Sequence, residues 1–267
     1  MILAPTLSLN TPARGFDADA TAFAAASGAT DVAALSAFVK GVKELGLWNS
    51  MVCWPLRSSQ NAGTGTTAYS LGGLGTFNGT LTNGPTWGAD GITKANATEI
   101  INVNGTNATL RGSLSVFSCY KSNVTADGQR IFNCQDGTAQ GNYWQSNFDN
   151  NTYKQVFVMT TRNSANASSS SSDITGRETM FNYFGAALAS TSSQFMLNGT
   201  ISAEQTGLSA RNPTGTPNVD MIGTNGASGA RGTLSFAIAL TPTISSGDMS
   251  ALYTLYKSTL GTGLGLP

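Results

Sequence analysis

Apolar residues in the first fifty positions recur at the spacing of helices. An alanine-rich run over residues 16–27 begins with acidic side chains and stops at Gly28, which are typical start and stop signals of a helix. A second helix is predicted from an N-cap at Thr30 or Asp31 to Gly46, because its apolar positions fall on one face: Val32, Leu35, Phe38, Val39, Val42 and Leu45. The chain therefore opens with two predicted helices.

From residue 52 onward the pattern changes to short β-branched and aromatic runs separated by Asn-Gly and Asp-Gly pairs. The runs with no long helix between them predict antiparallel pairing, in a sandwich or a barrel. The serine run 168–172 predicts an exposed loop. In the last run, Leu234, Phe236, Ile238 and Leu240 alternate with small residues and should share one face. The predicted strands lie near 52–56, 76–81, 99–103, 110–120, 129–135, 142–146, 155–161, 178–184, 194–197, 220–223 and 232–240.

The region after residue 243 carries a strong helix signal. Ser245 and Asp248 fit a capping box, and Ile244 with Met249 fits the hydrophobic staple that accompanies it. The helix should dock on the sandwich through one apolar face: Met249, Leu252, Tyr253, Tyr256 and Leu260. We expect an N-terminal arm and helical lead-in over 1–50, and a β-sandwich with its closing helix over 51–267.

Both ends of the chain are apolar. Residues 1–15 and 261–267 hold a single charge, Arg14, beside several large apolar side chains: Ile2, Leu3, Leu7, Leu264 and Leu266. Free termini are normally polar and mobile. These ends should therefore contact other copies or partner proteins, or else fold back on their own domain.

Composition narrows the function classes. The chain has 14 basic and 14 acidic residues with no block of either sign, so bulk electrostatics would hold neither nucleic acid nor an anionic membrane. No stretch reaches membrane-spanning length and the N-terminus lacks a signal-peptide pattern, which predicts synthesis in a cytosol. A neutral surface gives little colloidal repulsion and favours a permanent assembly, including a homo-oligomer.

The three cysteines are too few and too scattered for a disulfide framework or a zinc site. We expect Cys53, Cys119 and Cys134 to be buried thiols. A turn near Asp127 would place Cys119 and Cys134 opposite each other on adjacent strands, with Cβ atoms within about 6 Å.

No catalytic residue, metal or cofactor is assigned from the sequence. The chain has no histidine, which removes Ser-His-Asp catalysis and histidine metal sites. Asp17 and Asp19 form the closest acidic pair, but they lie at a predicted helix start, where the helix dipole explains them. The chain is therefore not expected to be an enzyme.

Residues 142–150 form the best candidate binding patch, because aromatic residues alternate there with amides. Tyr143, Trp144 and Asp149 are its candidate glycan contacts. The alternative is a plain strand with Trp144 in the core and a turn after it. Asp149 could also join Asp127 and Asp136 in a calcium site if their loops converge, although each has a turn-forming reason to be there.

Several segments resemble tailed-bacteriophage virion structural proteins with a concanavalin A-like (laminin-G-like) jelly-roll domain. They cover roughly 16–103 and 190–267 and read FVKGVKELGLW (38–48), GTFNGTLTNGPTW (75–87), FMLNG (195–199), MIG (221–223) and LYTLYK (252–257). The resemblance implies a mainly β fold: an antiparallel two-sheet jelly-roll sandwich with an N-terminal helical lead-in and a short C-terminal helix. It carries no catalytic residues over to this chain.

The leading expectation is a non-enzymatic virion structural protein that decorates a capsid or builds a tail or fibre, with other virion proteins as partners and the virion as its location. The first alternative is a carbohydrate-binding receptor-recognition module that contacts a host surface glycan. The second alternative is a glycan hydrolase, which needs two carboxylates at catalytic separation in a cleft. Fold by itself does not decide among these, because one fold hosts many functions.

Overall fold

The computed structural model describes residues 15–103, 108–110, 112–125, 129–135, 142–149, 151–152, 154–162, 166–210, 218–223 and 230–267. Within these ranges the chain forms three helices and sixteen strands. The helices are α1 (Ala18–Ser27), α2 (Val32–Glu44) and α3 (Ser246–Ser258). The strands are β1 (Met51–Pro55), β2 (Thr67–Ala68), β3 (Gly79–Thr82), β4 (Thr86–Gly88), β5 (Gly91–Lys94), β6 (Ile100–Val103), β7 (Leu114–Ser122), β8 (Gln129–Gln135), β9 (Asn142–Asp149), β10 (Gln155–Arg162), β11 (Asn166–Asp173), β12 (Asn182–Leu188), β13 (Ser193–Leu197), β14 (Thr200–Ile201), β15 (Asn218–Met221) and β16 (Gly232–Leu240).

The described strands form two eight-stranded sheets in which neighbouring strands pair antiparallel. Sheet A has the order β14-β13-β12-β7-β16-β5-β4, and β1 also pairs with β16. Sheet B has the order β11-β10-β9-β8-β15-β6-β3-β2. Neighbours in both sheets come from distant parts of the chain, as in β15 between β6 and β8. The predicted antiparallel sandwich with helices near both ends is therefore confirmed.

Two apolar cores lie on opposite faces of sheet A. The inner core fills the space between the sheets and contains Trp54, Phe132 and Trp144, with Phe132 edge-on to both indoles. The outer core lies between sheet A and the three helices, where Tyr256 of α3 stacks on Phe236 of β16 with ring centroids 4.5 Å apart. Sheet A is thus buried on both faces, whereas sheet B has one face turned away from both cores.

The three helices begin where the sequence predicted, and α1 also ends at its predicted glycine, whereas α3 ends at Ser258, before the predicted Gly261. Asp17 caps α1 and Gly28 ends it with φ +82°, while the Asp31 carboxylate caps α2. Ser245 and Asp248 form the predicted capping box at α3. The predicted apolar face of α3 is buried in the outer core, so this helix is part of the fold.

The acidic pair near the N-terminus is structural, as expected. Lys43 of α2 places its Nζ atom 2.9 Å from Asp17 Oδ2 and 2.6 Å from Asp19 Oδ2. Burial raises the pKa of Asp17, but hydrogen bonds from Lys43 and from two backbone N–H groups outweigh it and leave that pKa lowered. The pair therefore ties α1 to α2.

Several strand predictions need correction. The serine run, predicted as a loop, lies in β11, an edge strand whose backbone pairs with β10 from Asn166 to Asp173. The strand predicted at 178–184 forms four residues later, as β12. Five strands had no sequence prediction: β2, β4, β5, β11 and β14. Most of these strands are short. The exception is β11, which is held by backbone pairing although its serine-rich sequence is not typical of a strand.

A β-bulge changes which residues share a face on β16. The register to β7 shifts between Leu234 and Phe236, so Ser235 is the extra residue. Leu234 consequently faces the inner core, while Phe236, Ile238 and Leu240 face the helices. The prediction that all four lie on one face is wrong, because alternation reverses across a bulge.

The three thiols are buried and form no disulfide, as predicted, but the predicted pairing of Cys119 with Cys134 is wrong. Cys119 lies on β7 of sheet A and faces the outer core, whereas Cys134 lies on β8 of sheet B and faces the inner core. The predicted hairpin between them does not form, because the chain crosses from one sheet to the other after β7. Cys134 pairs instead with Trp144 and Val219.

The C-terminal tail folds back on its own sandwich. Leu264 and Leu266 are buried in the outer core, and the Tyr253 hydroxyl donates a hydrogen bond to the Pro267 carbonyl. Arg57 Nη1 donates to the Thr262 carbonyl at 2.8 Å. The tail therefore folds back on its own domain, as the sequence alternative had it, while its contacts to neighbouring molecules stay a prediction; residues 1–14 lie outside the described residues.

The helical lead-in and the sandwich share one apolar core. Side chains of α1 and α2 pack in the outer core with those of β1, β7, β12, β16 and α3. The division into 1–50 and 51–267 stays a prediction. None of the described helices is long and apolar enough to cross a membrane.

Candidate functional site

The patch singled out in the sequence lies on β9, in the middle of sheet B. Trp144 is fully buried in the inner core, and its indole N–H donates to the Leu110 carbonyl at 2.6 Å. Trp144 therefore takes the core role that the sequence left as the alternative. The backbone of Tyr143 is the extra residue of a β-bulge opposite Cys134 and Gln135, and its side chain is outside the described residues.

The amides of β9 lie on the other face. Because strand side chains alternate, the inward positions of Trp144 and Phe148 turn Gln145 and Asn147 away from the inner core. Bulges commonly re-aim side chains beside functional surfaces. The candidate surface on this strand thus includes the amides of Gln145 and Asn147 and does not include Trp144.

Gln145 belongs to a row of polar side chains that crosses sheet B. Thr80 lies opposite Asn102, Asn102 opposite Asp220, Asp220 opposite Asn133, and Asn133 opposite Gln145. We call these five residues the polar row. The alternate positions, such as Ile101, Met221 and Phe132, point into the inner core, so the row occupies the outward face of the sheet.

The row runs from a partly exposed end to a buried centre. Thr80 and Asn102 are partly exposed, whereas Asp220 and Asn133 are fully buried and Gln145 is 7 % exposed. Asn102 Nδ2 donates to Asp220 Oδ1 at 2.7 Å. Asn133 Nδ2 donates to the carbonyls of Asp220 at 3.3 Å and Gly223 at 2.7 Å. These bonds fix the amide of Asn133 in one orientation.

The side-chain amide of Asn133 keeps an acceptor without a partner in the described part of the chain. The Oδ1 atom of Asn133 is buried and accepts no hydrogen bond from the described residues. A buried acceptor without a donor costs about 1–3 kcal/mol, so native structures seldom keep one without a use. The acceptor capacity of this buried oxygen is therefore unused among the described residues.

A strained bend follows β15 directly after Asp220. Ile222 has φ +53°, a left-handed conformation that a β-branched residue rarely adopts. Two buried side chains hold the bend: Lys94 Nζ donates to the Ile222 carbonyl at 2.7 Å, and Asn133 donates to that of Gly223. Such strain persists only where surrounding contacts hold it, and it is enriched at functional sites.

Lys94 reaches this bend from the other sheet. Its side chain is 1 % exposed, and it connects β5 of sheet A to the end of β15 in sheet B. Burial lowers the pKa of Lys94 from 10.5 to about 8; nearby Glu99 opposes this effect and Arg231 adds to it. Lys94 therefore positions the bend beside Asp220 without facing the row.

The remaining sequence candidates lie apart from the row's centre. Asp149 is 3 % exposed at the far end of β9, where its carboxylate accepts the N–H of Asn151 at 3.0 Å. Asp127 and Asp136 lie outside the described residues, so the calcium prediction stays a prediction. In the described part of the chain, no cluster of three or more His, Cys, Asp or Glu residues could hold a metal ion.

Sequence reasoning missed Asp220, Asn102 and Asn133. Each follows an apolar residue in a short run, as in Val219-Asp220-Met221, which is the pattern of a strand with one polar face. That pattern indicates that these side chains point outward. Only strand pairing shows that they meet, because β6, β8 and β15 are far apart in the chain.

Comparison with known proteins shows the fold. No family model matches the chain, and no curated protein matches it. Among solved structures it is similar to the botulinum neurotoxin serotype D binding domain, with a TM-score of 0.58 and 10 % identity over 78 % of this chain and 52 % of that one. It is also similar to a Trypanosoma rangeli sialidase, with a TM-score of 0.57 and 12 % identity over 86 % of this chain and 40 % of that one.

The likeness is one of fold. The Ruminococcus gnavus IT-sialidase CBM40 aligns over 55 % of this chain with a TM-score of 0.46 and 15 % identity. The chain spans about half the length of the toxin binding domain and two fifths of the sialidase. Its neighbours thus support the β-sandwich.

Proposed function

We propose that this chain is a non-catalytic carbohydrate-binding β-sandwich, and that the polar row on the outward face of sheet B contacts the glycan. The observation that carries the proposal is the row itself: a carboxylate and three amides stand opposite one another across four strands. Carboxylate and amide groups supply both acceptors and donors, which suits the hydroxyl groups of a sugar. The site chemistry, not the fold, is the ground for the proposal.

The geometry of the row gives the glycan an entry side. Thr80 and Asn102 are the partly exposed members, and Asp220 is next to them across the sheet. A sugar hydroxyl that reaches Asp220 makes a hydrogen bond to an ionised carboxylate, which is about twice as strong as a neutral one. The unpartnered Oδ1 of Asn133 lies one strand further and accepts a second hydroxyl.

The spacing of carboxylates on this face supports binding rather than hydrolysis. Asp149 shares the outward face of sheet B with Asp220, because its neighbour Phe148 points into the inner core. The two lie two strands apart and four residues apart along the strand direction, which corresponds to about 16 Å. Glycosidase carboxylates are about 5–9.5 Å apart, so this pair does not fit either mechanism.

The fold neighbours agree with a sugar-binding role. One similar structure is described as a toxin binding domain and another as a sialidase, a protein that acts on a sugar. These descriptions belong to those proteins, which are only 10–12 % identical to this chain. They make glycans the first ligand class to screen.

Asp220→Asn tests the proposal. The substitution keeps the shape and the acceptor for Asn102 but removes the charge, so glycan affinity should fall about 10- to 100-fold, the equivalent of one charge-assisted hydrogen bond. Wild-type protein is first screened on a glycan array, and hits are measured by calorimetry. Asp31→Asn is the matched control, because asparagine also caps a helix and α2 packs on the opposite sheet.

Two outcomes would overturn the proposal. One is a wild-type protein that is folded by circular dichroism and binds nothing on the array. The other is a glycan that binds Asp220→Asn and wild type equally well. A selective loss in Asp220→Asn, with Asp31→Asn unchanged, supports it.

A virion structural role is the second candidate. The resembling segments at the two ends of the chain meet in the structure: α2 packs against α3, α3 contacts β14 at one edge of sheet A, and the two helices cover the outward face of that sheet. Gly41 of α2 lies so close to Leu255 that an added Cβ would stand 2.4 Å from the leucine Cδ1. Mass spectrometry of purified virus particles tests this role. Absence of this chain from all protein bands of the particles would exclude it.

A further inference from the structure

Two adjoining clefts share Lys121, at the end of β7 in sheet A. The first has a volume of about 340 Å³ and is lined by Lys121, Ser122, Asn123, Val124, Thr125 and Thr179. The second, of about 210 Å³, is lined by Asp90, Lys121, Met180, Phe181 and the tail segment 263–265. Lys121 follows Phe117 and Cys119 at every second position, so both clefts lie on the sheet A side. They are therefore separate from the polar row.

The ammonium group of Lys121 is positioned by a neighbouring ring but forms no hydrogen bond or ion pair with the described residues. Its Nζ atom lies 4.8 Å from the ring centroid of Phe181, a cation–π contact. It makes no hydrogen bond or ion pair with any described residue; the described ion pairs are both those of Lys43. All three N–H donors of Lys121 are therefore free for a ligand.

Other polar groups around the first cleft are also available. The side chains of Asn123, Thr125 and Thr179 are exposed and have no hydrogen-bond partner among the described residues. Ser122 is different, because its buried hydroxyl donates to the Val124 carbonyl at 2.7 Å. The cleft thus offers one cation, two hydroxyl groups and one amide.

Hydrogen bonds from Arg177 hold the Phe181 segment, which lies beside Lys121, in place. Arg177 Nη2 donates to the carbonyls of Phe181 at 2.9 Å and Gly265 at 3.3 Å, and its Nε donates to Asn182 Oδ1 at 3.3 Å. These bonds fix the ring under Lys121 and join it to the C-terminal tail. A preformed cleft avoids the ordering cost that weakens binding at mobile loops.

Charge selects the kind of ligand. The described residues that line the first cleft include one cation and no acidic residue, which suits a single negative charge. Asp90 lines the second cleft and would repel an anion there. Met180, 49 % exposed, borders the second cleft and offers an apolar contact to the C–H face of a sugar ring.

We propose that the Lys121 cleft is a second binding site, distinct from the polar row, for a sugar that carries one negative group. Lys121 pairs with the anion, and Asn123, Thr125 and Thr179 bind the hydroxyl groups of the ring. The negative group can be a carboxylate or a sulfate ester, since both present singly charged oxygen acceptors.

Amide chemical shifts of the full chain measure this site directly. Isotope-labelled protein is titrated with glucuronate, glucose 6-sulfate, glucose and acetate, and shifts are followed at residues 122–125 and 179–181. At least one acidic sugar should shift these signals with saturation, at least tenfold more tightly than glucose or acetate. The two acidic sugars tell a carboxylate from a sulfate ester.

Variants decide whether Lys121 carries the interaction. Lys121→Met should weaken acidic-sugar binding at least tenfold, and Thr179→Val, which replaces a hydroxyl by a methyl, should weaken it about two- to tenfold. Lys257→Met, an exposed lysine on α3, should leave it unchanged. Lys121→Met should also leave any glycan affinity of the polar row intact, which separates failure here from failure of the proposed function.

Three results would overturn the proposal. Equal binding of glucose and glucuronate would show that the negative charge of the sugar does not contribute to binding. Equal binding of acetate would show a bare anion contact without a sugar site. An acidic sugar that binds a folded Lys121→Met as tightly as wild type would place the anion elsewhere.

Discussion

Lys94 should make the stability of this protein rise with pH in an alkaline window. Its folded-state pKa is lowered by burial from 10.5 to about 8, so between these values the unfolded chain binds more protons than the folded one. Burying the charged ammonium group of Lys94 lowers the free energy of unfolding at neutral pH. This loss is recovered as the pH rises above 8 and the buried group releases its proton. At about 1.4 kcal/mol per pKa unit, the proton difference integrated from pH 7 to pH 10 gives about 2.5 kcal/mol.

Lys94→Met isolates this effect. The variant keeps most of the side-chain volume and removes the ionisable group, at the constant cost of the hydrogen bond to the Ile222 carbonyl. The free energy of unfolding is measured by urea titration with tryptophan fluorescence, at pH 7, 8, 9 and 10 under reducing conditions. Wild type should gain about 2.5 kcal/mol relative to Lys94→Met between the first and last pH.

The difference between the two proteins must be compared, not the wild-type curve alone. Burial raises the pKa of the Cys53 and Cys119 thiols, so ionisation of these groups in the unfolded chain lowers stability above about pH 8.5 in every variant. Lys257→Met, with its side chain exposed on α3, controls for removal of a positive charge. A difference between wild type and Lys94→Met that stays constant from pH 7 to pH 10 would refute the reasoning.

Three further changes test the packing. Deletion of residues 244–267 uncovers the outer core, so it should abolish soluble expression or markedly lower the melting temperature; an unchanged melting curve would mean that the helix is not needed for the fold. Gly185→Ala should destabilise strongly, because its Cβ would lie 1.9 Å from the Val116 carbonyl oxygen, whereas Gly112→Ala adds a methyl in open space; equal urea midpoints would contradict this. Ser245→Ala should cost about 1 kcal/mol through loss of the cap, and Ser246→Ala at the next position should cost little, as chemical denaturation can measure.

The helices could be predicted from sequence because their signals are local. The Ser245–Asp248 capping box and the Asp31 cap involve residues three apart, and each is present in the structure. The apolar face of α2 likewise follows from spacing within one element. Nothing distant in the chain changes those contacts.

Strand partners could not be predicted in the same way. The turn residues near 126–128 suggested a hairpin between β7 and β8, yet the two strands lie in different sheets. A turn signal shows where the chain can reverse, but not whether the next strand pairs with the last one. Likewise, no side-chain pattern marks Ser235 as the bulge that turns Leu234 to the opposite face from Phe236.

The candidate site was found only in part, for the same reason. The sequence identified β9, where aromatic and amide residues alternate, but the aromatic residue that is described, Trp144, points into the inner core. Gln145 points outward beside Asn133, which comes from another strand, and Asp220 comes from a third. A site assembled by strand pairing becomes visible only once the order of the sheet is known.

The most direct test of the central claim is a crystal structure of this chain grown with the glycan that binds it most tightly on the array. We predict a sugar on the outward face of sheet B, with hydroxyl groups within hydrogen-bond distance of Asp220 and Asn102. A further hydroxyl group should donate to Oδ1 of Asn133. A sugar bound only elsewhere, with the polar row untouched, would contradict the account.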